Sequence, residues 1–163
     1  MFHAILRSLD HVSPLETVSA HCDIPCKIYD PSTAQIAALT VVRMIDLIEE
    51  TEANGSASSL NSMVRFISVK EEHGIKCKDE IRIIWGDYFK APQLEKFPEI
   101  HELTHNIMML ASQCKQTVDR DKALSLVEQV NRFAEIFWAT KDVATKRSVC
   151  PYPPALEVVY PDL

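Results

Sequence analysis

Apolar side chains recur at helical spacing in four stretches of the chain. Ala37, Val41, Met44 and Ile48 follow at steps of four, three and four, which predicts an amphipathic helix. Asp30 suits its N-cap and Pro31 its first position, and Asn54-Gly55-Ser56 breaks it. A second, long helix is expected from about Ser59 to Tyr88, with the stripe Met63, Phe66/Ile67, Lys70, Gly74, Cys77, Ile81, Ile84 and Tyr88. Gly74 in its middle costs about 1 kcal/mol against alanine, and Lys90-Ala91-Pro92 closes the element. A third starts near Pro98 and carries Ile100, Leu103, Ile107, Leu110 and Cys114; a fourth runs from about Asp119 to Lys141 with Val127, Val130, Ala134 and Phe137 inward. Joined by mostly short loops, these read as an all-α, antiparallel four-helix bundle. The tail from Ser148 holds Pro151, Pro153, Pro154 and Pro161 and is expected to be an irregular arm.

Residues 1–20 depart from this pattern. Their longest apolar run is Ala4-Ile5-Leu6, well short of the roughly seven residues a secretory signal needs. Val18-Ser19-Ala20 would suit a signal peptidase, but a propeptide ending at Ala20 fits better, and the cytoplasm is the expected location. No run approaches membrane-spanning length. The 163 residues then divide into propeptide 1–20, a helical domain 21–147 and the tail 148–163. A net charge of −6 disfavours nucleic acid as a partner, and three glycines argue against a glycine-rich phosphate loop. Five cysteines fit a disulfide framework poorly. Cys77 and Cys114 fall on apolar helix faces and read as buried thiols; Cys150 in the tail reads as idle.

Chemistry is concentrated in His21-Cys22-Asp23-Ile24-Pro25-Cys26-Lys27-Ile28-Tyr29-Asp30-Pro31. Two thiolates four residues apart can close a small chelate ring, Pro25 stiffens the turn, and His21 adds an imidazole. Soft sulfur with nitrogen suits nickel, copper or zinc. By spacing alone, a redox pair or chance association stays open.

This stretch resembles the metal hook of the nickel superoxide dismutases, H-C-D-x-P-C-x-x-Y-D-P, with matches at His21, Cys22, Asp23, Pro25, Cys26, Tyr29, Asp30 and Pro31. Trp85-Gly86-Asp87-Tyr88-Phe89-Lys90, then Leu94-Glu95-Lys96-Phe97-Pro98-Glu99-Ile100-His101, and the Phe137-Trp138 pair, extend the resemblance from His21 to about Lys141. The resemblance implies a helical bundle assembled as a homohexamer. It also implies one nickel ion per subunit and a hook that becomes active when a maturation protease frees the amine of His21. Nickel(II) would then be held in a plane by that amine, the Cys22 amide nitrogen and the thiolates of Cys22 and Cys26, with the His21 imidazole axial in nickel(III). The implied reaction converts superoxide to dioxygen and hydrogen peroxide. Catalytic roles beside the metal fall to Tyr29 and Tyr88, which would order water and limit anion access, and to Asp23, which would shape the hook. An anionic substrate and an acidic chain require local positive charge, for which Lys90 and Lys27 are candidates.

Two positions depart from the family. The glutamate and arginine that hold the axial imidazole there match Ala37 and His73 here. His73 is either a substitute partner or an exposed helix histidine. A rival function without turnover is a nickel-binding helical bundle. A second rival is raised by His101-Glu102-Leu103-Thr104-His105, which matches the zinc-protease pattern. At 100° per residue these histidines point nearly opposite to the apolar stripe, and no downstream ligand follows at the expected spacing; a solvated or intersubunit pair is expected. Trp85, Phe137 and Trp138 read as core, and Lys70-Glu71-Glu72 as a solvated face.

Overall fold

A computed structural model describes residues 27–51 and 54–163. Helix α1, Ser32–Glu50, begins where Asp30 Oδ1 accepts a hydrogen bond from the Ser32 N–H at 2.8 Å. Pro31 just before it is buried and has no N–H to leave unpaired. Ala34, Ala37, Ala38, Val41, Val42 and Ile45 are wholly buried, a wider face than one stripe. The reason is tertiary: α1 packs against both the second and the last long helix.

Helix α2, Ala57–Ile83, is capped by Ser56, whose Oγ accepts from the Ser59 N–H at 3.2 Å. It continues into a single π-helical turn, Ile84–Tyr88. The expected end at Tyr88 is therefore reached through a widened last turn, of a kind often found at functional sites. A short helix α3, Ala91–Lys96, follows where the sequence reading placed only a breaker. Its start is fixed by Pro92 in the first turn and by Gln93, whose side chain accepts from the Lys90 N–H at 3.1 Å. Helix α4, Ile100–Gln116, and helix α5, Arg120–Ala139, complete the mostly helical fold. Asp119 caps α5 by accepting from the Lys122 N–H at 3.1 Å. Each long helix lies against two others: α1 on α2 and α5, α4 on α2 and α5. Between them sit Ile45, Ile81, Ile100, Ile107, Leu126, Phe133 and Phe137, all buried.

Two expectations are overturned. Lys70 is not on a solvated face: only 2% of it is exposed. Its ammonium donates to the carbonyls of Cys114, Lys115 and Thr117 at 2.6, 2.8 and 2.9 Å. These lie at the C-terminal end of α4, where carbonyls lack helical partners and the helix dipole favours a cation. The neighbouring Glu71 and Glu72 are exposed as expected. One turn on, a Cβ at Gly74 would stand 2.8 Å from Lys115 Cγ. The glycine therefore serves the close approach of α2 to α4, which offsets its low helix propensity.

The tail is not an irregular arm. Strands β1, Thr145–Val149, and β2, Glu157–Pro161, form an antiparallel hairpin with Thr145 opposite Pro161. Val158 and Val159 are buried. Gln35 Nε2 donates to Asn131 Oδ1 at 3.1 Å and to the Val159 carbonyl at 3.0 Å, and Asn131 Nδ2 donates to the Glu157 carbonyl at 2.9 Å. Arg147 adds bonds of 2.7 and 2.7 Å to the Glu128 carboxylate and 2.9 Å to Glu135. Pro151, Pro153 and Pro154 fall in the connecting loop, where a missing N–H breaks no ladder. Among the described residues, no helix is long and apolar enough to cross a membrane.

Candidate metal centre

The π turn ends on Tyr88, half-buried at one end of the helical body. Its ring lies 5.8 Å from that of Tyr29, tilted by 53°, and 4.9 Å from that of Phe137. Tyr29 lies three residues before the start of α1. The two tyrosines singled out from sequence, 59 positions apart in the numbering, therefore meet. The Tyr88 hydroxyl lies 2.6 Å from Thr140 Oγ1. The Lys141 ammonium stands 4.9 Å from the Tyr88 ring centre and 5.1 Å from that of Phe137, within cation–π range.

His21, Cys22, Asp23 and Cys26 lie outside the described residues. The chain becomes described at Lys27, which turns through a positive φ of 59°, and Tyr29 follows at once against Tyr88. Lys27 and Lys90 are both exposed; the Lys90 ammonium donates to the Gly86 carbonyl at 3.2 Å. His73 is half-buried, its Nδ1 2.9 Å from the Val69 carbonyl. Only a ring N–H can bridge that contact, so Nδ1 carries the proton. Ala37 is wholly buried.

Donor chemistry separates the five cysteines. Burial pushes the Cys77 thiol up to about 12, with the neighbouring Cys114 and Glu80 adding to it. Burial also raises Cys114, to about 11, against the opposing pull of Lys70. Both are protonated at neutral pH and are poor ligands. Cys150 is buried, and its thiol donates to the Tyr152 carbonyl at 3.2 Å. Among the described residues, no group of three or more His, Cys, Asp or Glu side chains could hold a metal ion. The cysteines left as candidate donors are Cys22 and Cys26, and two thiolates with nitrogen suit nickel, copper or zinc.

The zinc-protease pattern fails on geometry. His101 and His105 are exposed on α4, and the Trp85 indole donates to His101 Nδ1 at 3.1 Å, ring edge to face at 5.7 Å. The His101 ring is thus engaged by Trp85, and among the described residues no third His, Cys, Asp or Glu side chain completes a metal site there. Sequence reasoning missed Thr140 and Lys141. The available signal was their place two and three residues after Trp138, just past the end of α5.

These features describe a helical protein whose candidate soft metal donors lie in its N-terminal segment. The family model described as nickel-containing superoxide dismutase matches residues 16–141. The superoxide dismutase [Ni] of Streptomyces coelicolor is 36% identical over 132 residues, covering 79% of this chain and 94% of its own. That of Streptomyces seoulensis shows the same identity and coverage. A native nickel superoxide dismutase structure superposes with a TM-score of 0.67 at 30% identity, over 75% of this chain and 99% of the other. The chain belongs to the nickel-containing superoxide dismutase family. The β1–β2 hairpin lies beyond the last matched residue, Lys141.

Proposed function

We propose that the chain is the precursor of an enzyme that disproportionates superoxide to dioxygen and hydrogen peroxide at an N-terminal hook exposed by cleavage before His21. The hook is carried by an antiparallel four-helix bundle. The observation that carries this reading is the hook sequence leading directly into the Tyr29–Tyr88 pair. The thiolates of Cys22 and Cys26, the Cys22 amide nitrogen and the amine and imidazole of His21 would hold the metal. When bound, nickel supplies the one-electron couple that oxidises one superoxide and reduces the next. Tyr29 and Tyr88 narrow the approach and order water, and Asp23 shapes the hook. His73, with Nδ1 engaged, keeps Nε2 as an acceptor for an imidazole N–H, the role left open by Ala37. The reading includes a maturation protease and a cytoplasmic homohexamer. Exposed Leu60, Val64 and Ile67, on one side of α2, support self-association.

Substitution separates this from its rivals. In the nickel-reconstituted chain starting at His21, Cys22→Ser and Cys26→Ser are expected to abolish dismutation and nickel retention. Cys77→Ala, Cys114→Ala and Glu102→Gln keep both. Activity that survives Cys22→Ser, or is lost in Glu102→Gln, overturns the hook assignment. Nickel bound by the parent chain without turnover leaves the non-catalytic metal-binding bundle.

Lys141 joins Lys90 and Lys27 as a source of local positive charge on an acidic chain. Lys141 is exposed like Lys27, but its ammonium lies 4.9 Å from the centre of the Tyr88 ring. Lys141→Glu is expected to lower kcat/KM about ten-fold at low salt, with the gap closing as ionic strength rises. A salt-independent loss would remove Lys141 from substrate steering.

A further inference from the structure

Three oxygens at the end of α5 stand in a row. Tyr88 Oη lies 2.6 Å from Thr140 Oγ1, and Thr140 Oγ1 lies 2.6 Å from the Phe137 carbonyl. A threonine hydroxyl has one proton, and a carbonyl only accepts. Were the Thr140 proton on the Tyr88 side, Oγ1 and the Phe137 oxygen would face each other at 2.6 Å with no hydrogen between them. The arrangement without that clash has one direction: Tyr88 O–H donates to Thr140, and Thr140 O–H donates to Phe137. The Thr140 N–H, 3.0 Å from the Ile136 carbonyl and 3.2 Å from that of Phe137, holds the residue at the helix end. Phe137 is itself buried, so the final acceptor is fixed by the core.

We infer that Thr140 is a positioning residue that commits the Tyr88 proton to the protein and leaves the phenol oxygen facing the reaction site as a hydrogen-bond acceptor. The inference rests on the metal site lying at the Tyr29–Tyr88 pair. Two consequences follow from the proton count. Making hydrogen peroxide from superoxide needs two protons, and the Tyr88 proton is already engaged, so those protons come from water or another group. Water, or the protonated form of the substrate, can donate to Tyr88 Oη without displacing any bond already made. The Lys141 ammonium over the same ring attracts the anion without competing for the phenol oxygen, because it meets the ring face. Tyr88 is then an ordering acceptor at the mouth rather than an acid, and its orientation is set by a residue that touches no substrate.

A double-mutant cycle in the nickel-loaded chain starting at His21 tests this. Thr140→Val removes the acceptor at nearly constant volume and is expected to lower kcat about five-fold, the worth of one hydrogen bond. Thr140→Ser restores kcat to within about two-fold by re-forming that bond. Tyr88→Phe lowers kcat at least as far as Thr140→Val, and the Tyr88→Phe/Thr140→Val pair is no slower than Tyr88→Phe alone. Nickel content and melting temperature are followed throughout, and Thr140→Ala replaces the valine variant if that one folds poorly. Losses that multiply in the double variant, a serine variant as slow as valine, or a valine variant with parental kcat would each overturn the positioning role. If the parent binds nickel yet does not turn over superoxide, the site reading fails and this inference with it. If the parent and Tyr88→Phe behave as expected while Thr140→Val is silent, the inference alone fails.

Discussion

Retention of Ala20 is expected to lower superoxide dismutation by at least about a hundred-fold relative to the same nickel-treated chain beginning at His21. A free α-amine has a pKa of about 8 and gives up its proton to a metal at neutral pH. In an Ala20–His21 peptide bond the same nitrogen has its lone pair delocalised into the carbonyl and is a poor donor. Cys22 and Cys26 are present in both forms, so sulfur ligation alone would not separate them. Stopped-flow dismutation of the two chains at matched nickel content is the decisive measurement. Equal activity would show that the His21 amine is no ligand and that the propeptide has another purpose.

The second large effect falls on stability. Lys70→Met keeps the length of the buried stem and removes only the ammonium. Two terms oppose each other. Burial lowers the Lys70 pKa, chiefly by desolvation and against the pull of Glu71 and Cys114, so removing the charge relieves a cost. Against that, three carbonyls that accept at 2.6, 2.8 and 2.9 Å lose their donor. A hydrogen bond to a charged group contributes about 1.5–3 kcal/mol, and three together outweigh one desolvated ammonium that keeps its hydrogen-bonding capacity filled. The expected net loss is about 2–4 kcal/mol, because part of the exposed carbonyl edge recovers water. That corresponds to a fall of about 10 °C in melting temperature at fixed protein concentration. An unchanged or higher melting temperature would show that desolvation dominates and that α4 needs no cation at its end. Activity per folded, nickel-loaded subunit should be unaffected, since Lys70 lies on the α2–α4 side and makes no contact with Tyr29 or Tyr88 among its hydrogen bonds.

Much of the fold was legible because helix formation leaves a local signature. The stripes Ile100, Leu103, Ile107, Cys114 and Val127, Val130, Ala134, Phe137 are buried in α4 and α5, and Asp119 caps as its residue type and place suggest. The proposed hook was legible for a different reason. Chelation by neighbouring residues needs a short, fixed spacing, and the candidate ligands His21, Cys22 and Cys26 fall within one short stretch of the chain. Tyr29 and Tyr88 were found by resemblance, and their meeting at 5.8 Å is a matter of packing.

Periodicity records which face of a helix is apolar but not what stands opposite it. Lys70 interrupts an apolar stripe and, beside Glu71 and Glu72, looks solvated; only the arrival of α4 with its unpaired carbonyls makes a buried lysine favourable. Strand β2 has too few residues for alternation to register amid four prolines, and it exists because Gln35 and Asn131 supply partners from distant helices. The sequence by itself determined the four long helices and most of their inward faces, though not that of the first half of α2, where Ile67 is exposed; it also named the candidate metal donors, since each of these depends on residues close together in the chain. Tertiary structure alone decided where Lys70 lies, that the tail forms a hairpin, and which way the Tyr88 hydroxyl points. Each of those is settled by a carbonyl or side chain that only folding brings within hydrogen-bonding distance.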